Sequence, residues 1–97
     1  MKTLPEIRAV LRDHIDDLHA RYGMVNIAVF GSVVRGEARE DSDVDVLVDF
    51  LEPVDLLELI SAENYLSDLL HVKVDLIPRK SVRHELRDRI LSEAISI

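Results

Sequence analysis

Cysteine is absent from the chain, which excludes disulfides and thiolate metal ligands and is compatible with a reducing cytoplasm. Aromatic residues make up only 4% of it, so a core has to be built from Leu, Ile, Val and Ala. The 47% hydrophobic fraction supplies enough of them, and the ordinary 32% charged fraction argues against disorder. No apolar run approaches the ~20 residues of a membrane-spanning helix, and the opening stretch MKTLPEIRAVLRDHIDD lacks the apolar core of a signal peptide. The expectation is a cytoplasmic chain with no membrane contact. A basic stripe is missing as well: the net charge is −7, so unaided nucleic-acid binding is not expected. The length of 97 residues fits one small domain over 1–97.

The charge imbalance has a location. Residues 37–58 hold nine acidic groups with Arg39 as their only base, whereas 1–23, 59–80 and 81–97 each balance. A solvated acidic loop would explain this, and so would a cation site.

Apolar spacing sets out the elements. Leu4, Ile7, Leu11, Ile15, Leu18 and Tyr22 predict one amphipathic helix over 4–22, with Thr3 and Glu6 as a capping box, Pro5 in the first turn and Gly23 as the stop. Residues 25–30 (VNIAVF) read as a buried strand. Residues 31–42 form a polar connection with room for a short helical turn. Val44, Val46, Val48 and Phe50 alternate with Asp45, Leu47 and Asp49, as in a second strand. A helix over about 55–70 uses Leu56, Leu59, Ile60, Leu66 and Leu70. A third strand, 72–77, is closed by Pro78, and Ser81 caps a last helix carrying Val82, Leu86, Ile90, Ala94 and Ile95. The Phe30–Val44 connection is too short for a crossover helix, so those strands should be antiparallel, while the helix between Phe50 and Val72 allows parallel neighbours. The fold class is α/β (α+β), a small mixed sheet with packed helices in the order α-β-(short α)-β-α-β-α.

Three features carry chemistry. Gly31-Ser32 follows a strand; glycine permits a sharp turn, and the amides and hydroxyl after it can hold phosphate oxygens, although such a pair is often only a turn. Asp43 and Asp45, two apart on a strand, project from one face with Cα atoms about 6.5–7 Å apart. They are either a solvated strand start or a pair that repels until a cation arrives, and Mg²⁺ suits such a pair completed by substrate phosphates. Asp75 interrupts an apolar strand, where aspartate is costly to bury alone. It is either an edge-strand partner of Lys73 or a third carboxylate, a metal ligand or general base. Arg35 and Arg39 are candidate phosphate contacts in a loop whose acids, Glu37, Glu40 and Asp41, offer them other partners. Ser42 is read as a cap of that loop, Asp49 as solvated or paired, and the four histidines as structural.

Gly31-Ser32, ten intervening residues, then Asp43-x-Asp45 resembles the signature of the polymerase-β-like nucleotidyltransferase superfamily, and GSVVRGEAREDSDVDVLVDF resembles its minimal branch, the MNT domains. The resemblance runs over essentially the whole chain. It implies the nucleotidyltransferase fold, ATP as substrate and two Mg²⁺ held by Asp43, Asp45 and Asp75. Gly31, Ser32 and the neighbouring amides would lie on the phosphates, with Arg35 kept as a candidate contact from the residues alone, and Asp75 would help deprotonate the acceptor hydroxyl. It also implies a HEPN-domain partner whose tyrosine is adenylylated, an antitoxin role. So short a chain leaves little room for an acceptor-binding region, so the acceptor site is expected from a partner or a second copy, with apolar positions of 56–70 or of the last helix as the candidate interface. Two rival readings are a transferase acting on a small molecule, resembling aminoglycoside nucleotidyltransferases, and a non-catalytic partner-binding module.

Overall fold

A computed structural model describes residues 2–97. Thr3 opens α1 (Leu4–Asp13): its hydroxyl accepts from the Glu6 N–H, and the Glu6 carboxylate accepts from the Thr3 N–H. The single helix expected over 4–22 is two helices. His14 brings Nδ1 within 2.8 Å of the Val10 carbonyl oxygen, the acceptor that its own backbone N–H would use in a continuous helix, and that N–H turns to Leu11 instead. α2 (Ile15–Tyr22) therefore starts in a new phase. Leu18 is buried, while Ile15, a member of the expected apolar stripe, is 42% exposed. Gly23, left-handed at φ 70°, ends α2 as expected.

The sheet has the order β3-β2-β1-β4, with β1 (Met24–Phe30), β2 (Val44–Phe50), β3 (Val74–Pro78) and β4 (Ile95–Ser96). β1 and β2 are antiparallel, as the short connection implies, and β2 and β3 are parallel, as the helical connection allows. Between them lie the short α3 (Ser32–Arg35) and α4 (Leu56–Leu70), the latter capped by the Asp55 carboxylate on the Glu58 N–H. The stripe of α4 that meets the sheet is Leu59, Ala62, Leu66 and Leu70. Leu56, in the first turn, and Ile60, one residue off that stripe, are exposed rather than buried. An extra residue in β1 makes a bulge between Val25 and Ala28, with Asn26 left-handed at φ 52°.

The end of the chain departs most from expectation. Ser81 closes a 3₁₀ turn over Arg79–Ser81 and caps no helix, because Val82 and Arg83 run extended and separate it from α5 (His84–Glu93). Ala94 is extended as well, so Ile95 leaves the helix expected to carry it and pairs with Val29 as β4, a strand absent from the sequence reading. Arg8 of α1 donates to the Ser96 carbonyl at 2.9 Å and ties this strand down.

Both faces of the sheet are covered. Ile7, Leu11, Leu18, Val44, Val46, Val48, Leu66 and Val74 form the larger core under α1, α2 and α4. Ala28, Phe30 and Leu47 point the other way, under Ile77, Val82, Ile90 and Ala94. The free edge of β3 is managed by α4. Ser67 Oγ accepts from the Val74 N–H and Glu63 Oε2 from the Leu76 N–H, each at 2.9 Å. These two bonds flank Asp75 and satisfy amides that no strand pairs. Glu63→Ala should lower unfolding free energy by about 1–3 kcal/mol, the usual cost of leaving a half-buried donor unpaired. It should also speed hydrogen exchange at the Leu76 amide ahead of its neighbours, as measured by urea denaturation and amide NMR.

Candidate active site

Phe30 lies opposite Asp45, and Asp45 opposite Asp75, across three adjacent strands. This register brings the end of β1 and the starts of β2 and β3 to one side of the sheet. Gly31 leaves β1 with φ 82° and ψ −153°, a conformation open to glycine and little else. A Cβ there would sit 3.1 Å from Asp45 Cγ and closer still to Oδ2. Glycine therefore has two causes at this point, the turn into α3 and the approach of the Asp45 carboxylate. Arg35 and Val34 N–H groups close back on the Gly31 carbonyl, and Gly36, left-handed, ends the turn.

The loop that follows is shaped by its own polar groups. Ser42 Oγ accepts from the Arg39 N–H at 2.8 Å, and the Ser42 N–H donates to the Arg39 carbonyl at 3.0 Å, so Ser42 orients the loop. Asp43 immediately precedes β2. Lys73 turns to Asp43, with Nζ 3.8 Å from Oδ2, and not to Asp75. Asp75 is exposed on β3 beside the half-buried Asp45. Burial, then the neighbouring Asp75 and Asp43 carboxylates, push Asp45 up to about 6 from its ordinary 3.8. Among the described residues no group of three or more carboxylates and imidazoles forms a ready cation cage. The donors are all hard oxygens crowded by like charge, which fits a cation that draws its remaining ligands from phosphate and water.

Arg35 is already engaged. Its Nε lies 2.7 Å from Glu37 Oε1, and its Nη1 lies 2.9 Å from both carboxylate oxygens of Glu93. Glu37 first and Glu93 second hold the guanidinium above its ordinary value. Glu93 also accepts from the Gly31 N–H at 2.5 Å. The sequence reading missed Glu93. It is the last residue of α5, sixty-two positions from Gly31, and nothing local marks it apart from other helix-end glutamates. A cavity of about 230 Å³ opens beside Gly31, Arg35, Asp45 and Glu93, walled by Leu86 and Ile90. A larger one, about 320 Å³, lies at the other end of β2 around Phe50 and Leu56. The carboxylate there, Asp49, is paired with Arg79 at 2.6 Å and accepts from Asn26 at 3.0 Å, so the smaller cavity is the candidate site.

A family model described as nucleotidyltransferase domain matches residues 11–97. The chain belongs to that family. It is similar to the protein adenylyltransferase MntA of Thermococcus cleftensis, at 46% identity over 97 residues, covering 100% of this chain and 98% of that one. A solved structure provisionally described as a minimal nucleotidyltransferase matches with TM-score 0.81 at 44% identity, over 99% of this chain and 97% of the other. The fold is shared too with the complex of a tri-AMPylated HEPN toxin and an MNT antitoxin from Shewanella oneidensis, at TM-score 0.61 and 22% identity, over 95% of this chain and 66% of that one. The α/β fold and the enzyme class expected from the residues both stand, and among the described residues no helix is long and apolar enough to cross a membrane.

In this nucleotidyltransferase the raised Asp45 pKa has a stability consequence. A carboxyl group harder to ionise in the folded chain than in the unfolded one weakens folding as pH rises from about 4 through about 6. Asp45→Asn should therefore stabilise the metal-free protein at pH 7.5, by on the order of 1–2 kcal/mol given the water that still reaches the carboxylate, and by much less at pH 4. Urea unfolding at the two pH values checks this; a variant less stable than the parent at pH 7.5 would count against a strained Asp45.

Proposed function

We propose that the chain moves AMP from ATP to a protein hydroxyl with Mg²⁺, and that the acceptor is a tyrosine of a HEPN-domain partner. The observation that carries this reading is the strained Asp45 carboxylate, set between Asp43 and Asp75 and against the bare backbone of Gly31. The adenylyltransferase name of the Thermococcus cleftensis relative and the AMPylated toxin in the Shewanella oneidensis complex support the choice of nucleotide and acceptor.

In this reading Asp43 and Asp45 are the principal ligands of Mg²⁺, and Asp75 completes the acidic set. Bound there, Mg²⁺ would neutralise the triphosphate and raise the electrophilicity of the α-phosphorus. The Gly31 N–H, the Ser32 hydroxyl and Arg35 hold the phosphate oxygens. The acceptor oxygen forms its bond to the α-phosphorus as the bridge to the β-phosphate breaks. Pyrophosphate carries away the bond electrons, and Asp75, exposed at the rim, takes the acceptor's proton. Because Asp45 has to be ionised to act as a ligand, Mg²⁺ affinity should fall as pH drops below about 6.

Incubation with α-labelled ATP, Mg²⁺ and a cognate HEPN protein tests the proposal. Label should move to the partner, require Mg²⁺, and be lost by at least about a thousandfold in Asp43→Asn/Asp45→Asn, the scale on which removing charge stabilisation slows such reactions. Label reaching an aminoglycoside with no protein present would favour a small-molecule transferase. Neutralisation of the partner by the double variant would favour a binding module.

A further inference from the structure

The Glu93 carboxylate sits where an anion would bind. It accepts from the Gly31 N–H at 2.5 Å and from Arg35 Nη1 at 2.9 Å on each oxygen. Its side chain is 16% exposed, against 38% for Arg35. A carboxylate held by one backbone amide and one guanidinium makes the contacts that a terminal phosphate oxygen pair would make, because both present two adjacent anionic oxygens on one central atom. The contact also sets a carboxylate near Asp45, where it adds to the like charge already crowding that residue. A carboxylate in that position gains nothing from the acidic cluster; its partners are the two donors.

We propose that Glu93 is a built-in competitor of the nucleotide's phosphates, a latch that fills the Gly31–Arg35 cradle in the free chain and swings out when the triphosphate enters. This rests on the reading of Gly31 and Arg35 as phosphate contacts. Partial desolvation acts to raise the Glu93 pKa, yet Arg35 and the Gly31 N–H outweigh it and hold the group below its ordinary value, so the latch stays charged at neutral pH. Release costs little elsewhere. No residue of α5 is buried, and Glu93 is its last residue, so a side-chain rotation clears the cradle without disturbing the core. The cavity beside it, about 230 Å³, takes the displaced carboxylate or the incoming phosphates. The latch keeps Arg35 and the Gly31 amide aligned while the site is empty, and it subtracts its own binding from the affinity for nucleotide.

The test compares the full chain with Glu93→Gln and Glu93→Ala. Calorimetry measures MgATP binding, and ¹⁵N NMR follows the Gly31 amide. In the parent, the Gly31 proton should resonate downfield, as a short charge-assisted hydrogen bond requires, and move upfield in both variants before nucleotide is added. MgATP should bind about tenfold tighter to Glu93→Ala, the factor that one competing charge-assisted contact is worth, with Glu93→Gln between the two. The nearly isosteric Gln variant keeps the comparison valid if Ala perturbs α5. If the parent binds MgATP and both variants bind it equally or more weakly, the latch is overturned and the nucleotide reading stands. If no form binds MgATP, the opened cradle is not a phosphate site, and both fail.

Discussion

Three strands in one register, Phe30 against Asp45 against Asp75, hold like charges together that would separate if left to themselves. Everything else near the site answers to that constraint. Gly31 must lack a Cβ, because Asp45 occupies the space that a Cβ would take. The edge strand carrying Asp75 is held on its open side by Glu63 and Ser67 of α4, so the carboxylate is presented by a clamped backbone. The sheet beneath is sealed on both faces, by valines and leucines under α1, α2 and α4 and by Ala28, Phe30 and Leu47 under α5. A chain this small buries only about two-thirds of its unfolded surface, so a strained acidic cluster takes a real share of its stability. Under the proposed function a cation would return that share on binding, which would couple nucleotide-metal binding to folding.

The cluster also explains why the cationic partners nearby are placed as they are. Lys73 approaches Asp43 at 3.8 Å, and Arg35 is tied to Glu37 and Glu93. Among the described residues Asp45 has no ion-pair partner within 4.0 Å. At the far end of β2 the opposite arrangement holds. Asp49 lies on the same strand four residues away; Arg79 neutralises it and Asn26 donates a hydrogen bond to it, which makes it a structural carboxylate.

Most of the site was legible because its signals are local. Alternation fixes which face Asp43, Asp45 and Asp49 share, and a glycine between a strand and a short helix announces a turn that side chains would obstruct. Connection lengths favoured the antiparallel β1–β2 pair and allowed the parallel β2–β3 pair, but gave no sign of β4. What escaped depends on contacts distant in sequence or on competition for one acceptor. The break at His14 comes from an imidazole taking the Val10 carbonyl, which apolar periodicity does not register. Ile95 fits a helical stripe as well as a strand, and only the open edge of β1 selects the strand. Glu93 reaches Gly31 because β4 returns α5 along β1, a placement visible only once the sheet is assembled.

The most direct measurement is a ¹³C NMR titration of the Asp45 carboxyl group, with and without Mg²⁺ and a non-hydrolysable ATP analogue. In the metal-free chain the midpoint should lie near 6, with the carboxyl group held up by burial and its acidic neighbours. With Mg²⁺ and the analogue it should fall below the ordinary aspartate value, as ligation of a dication demands. A midpoint that stays where it was when both are present at saturating concentration would contradict Asp45 as the metal-binding centre of the site.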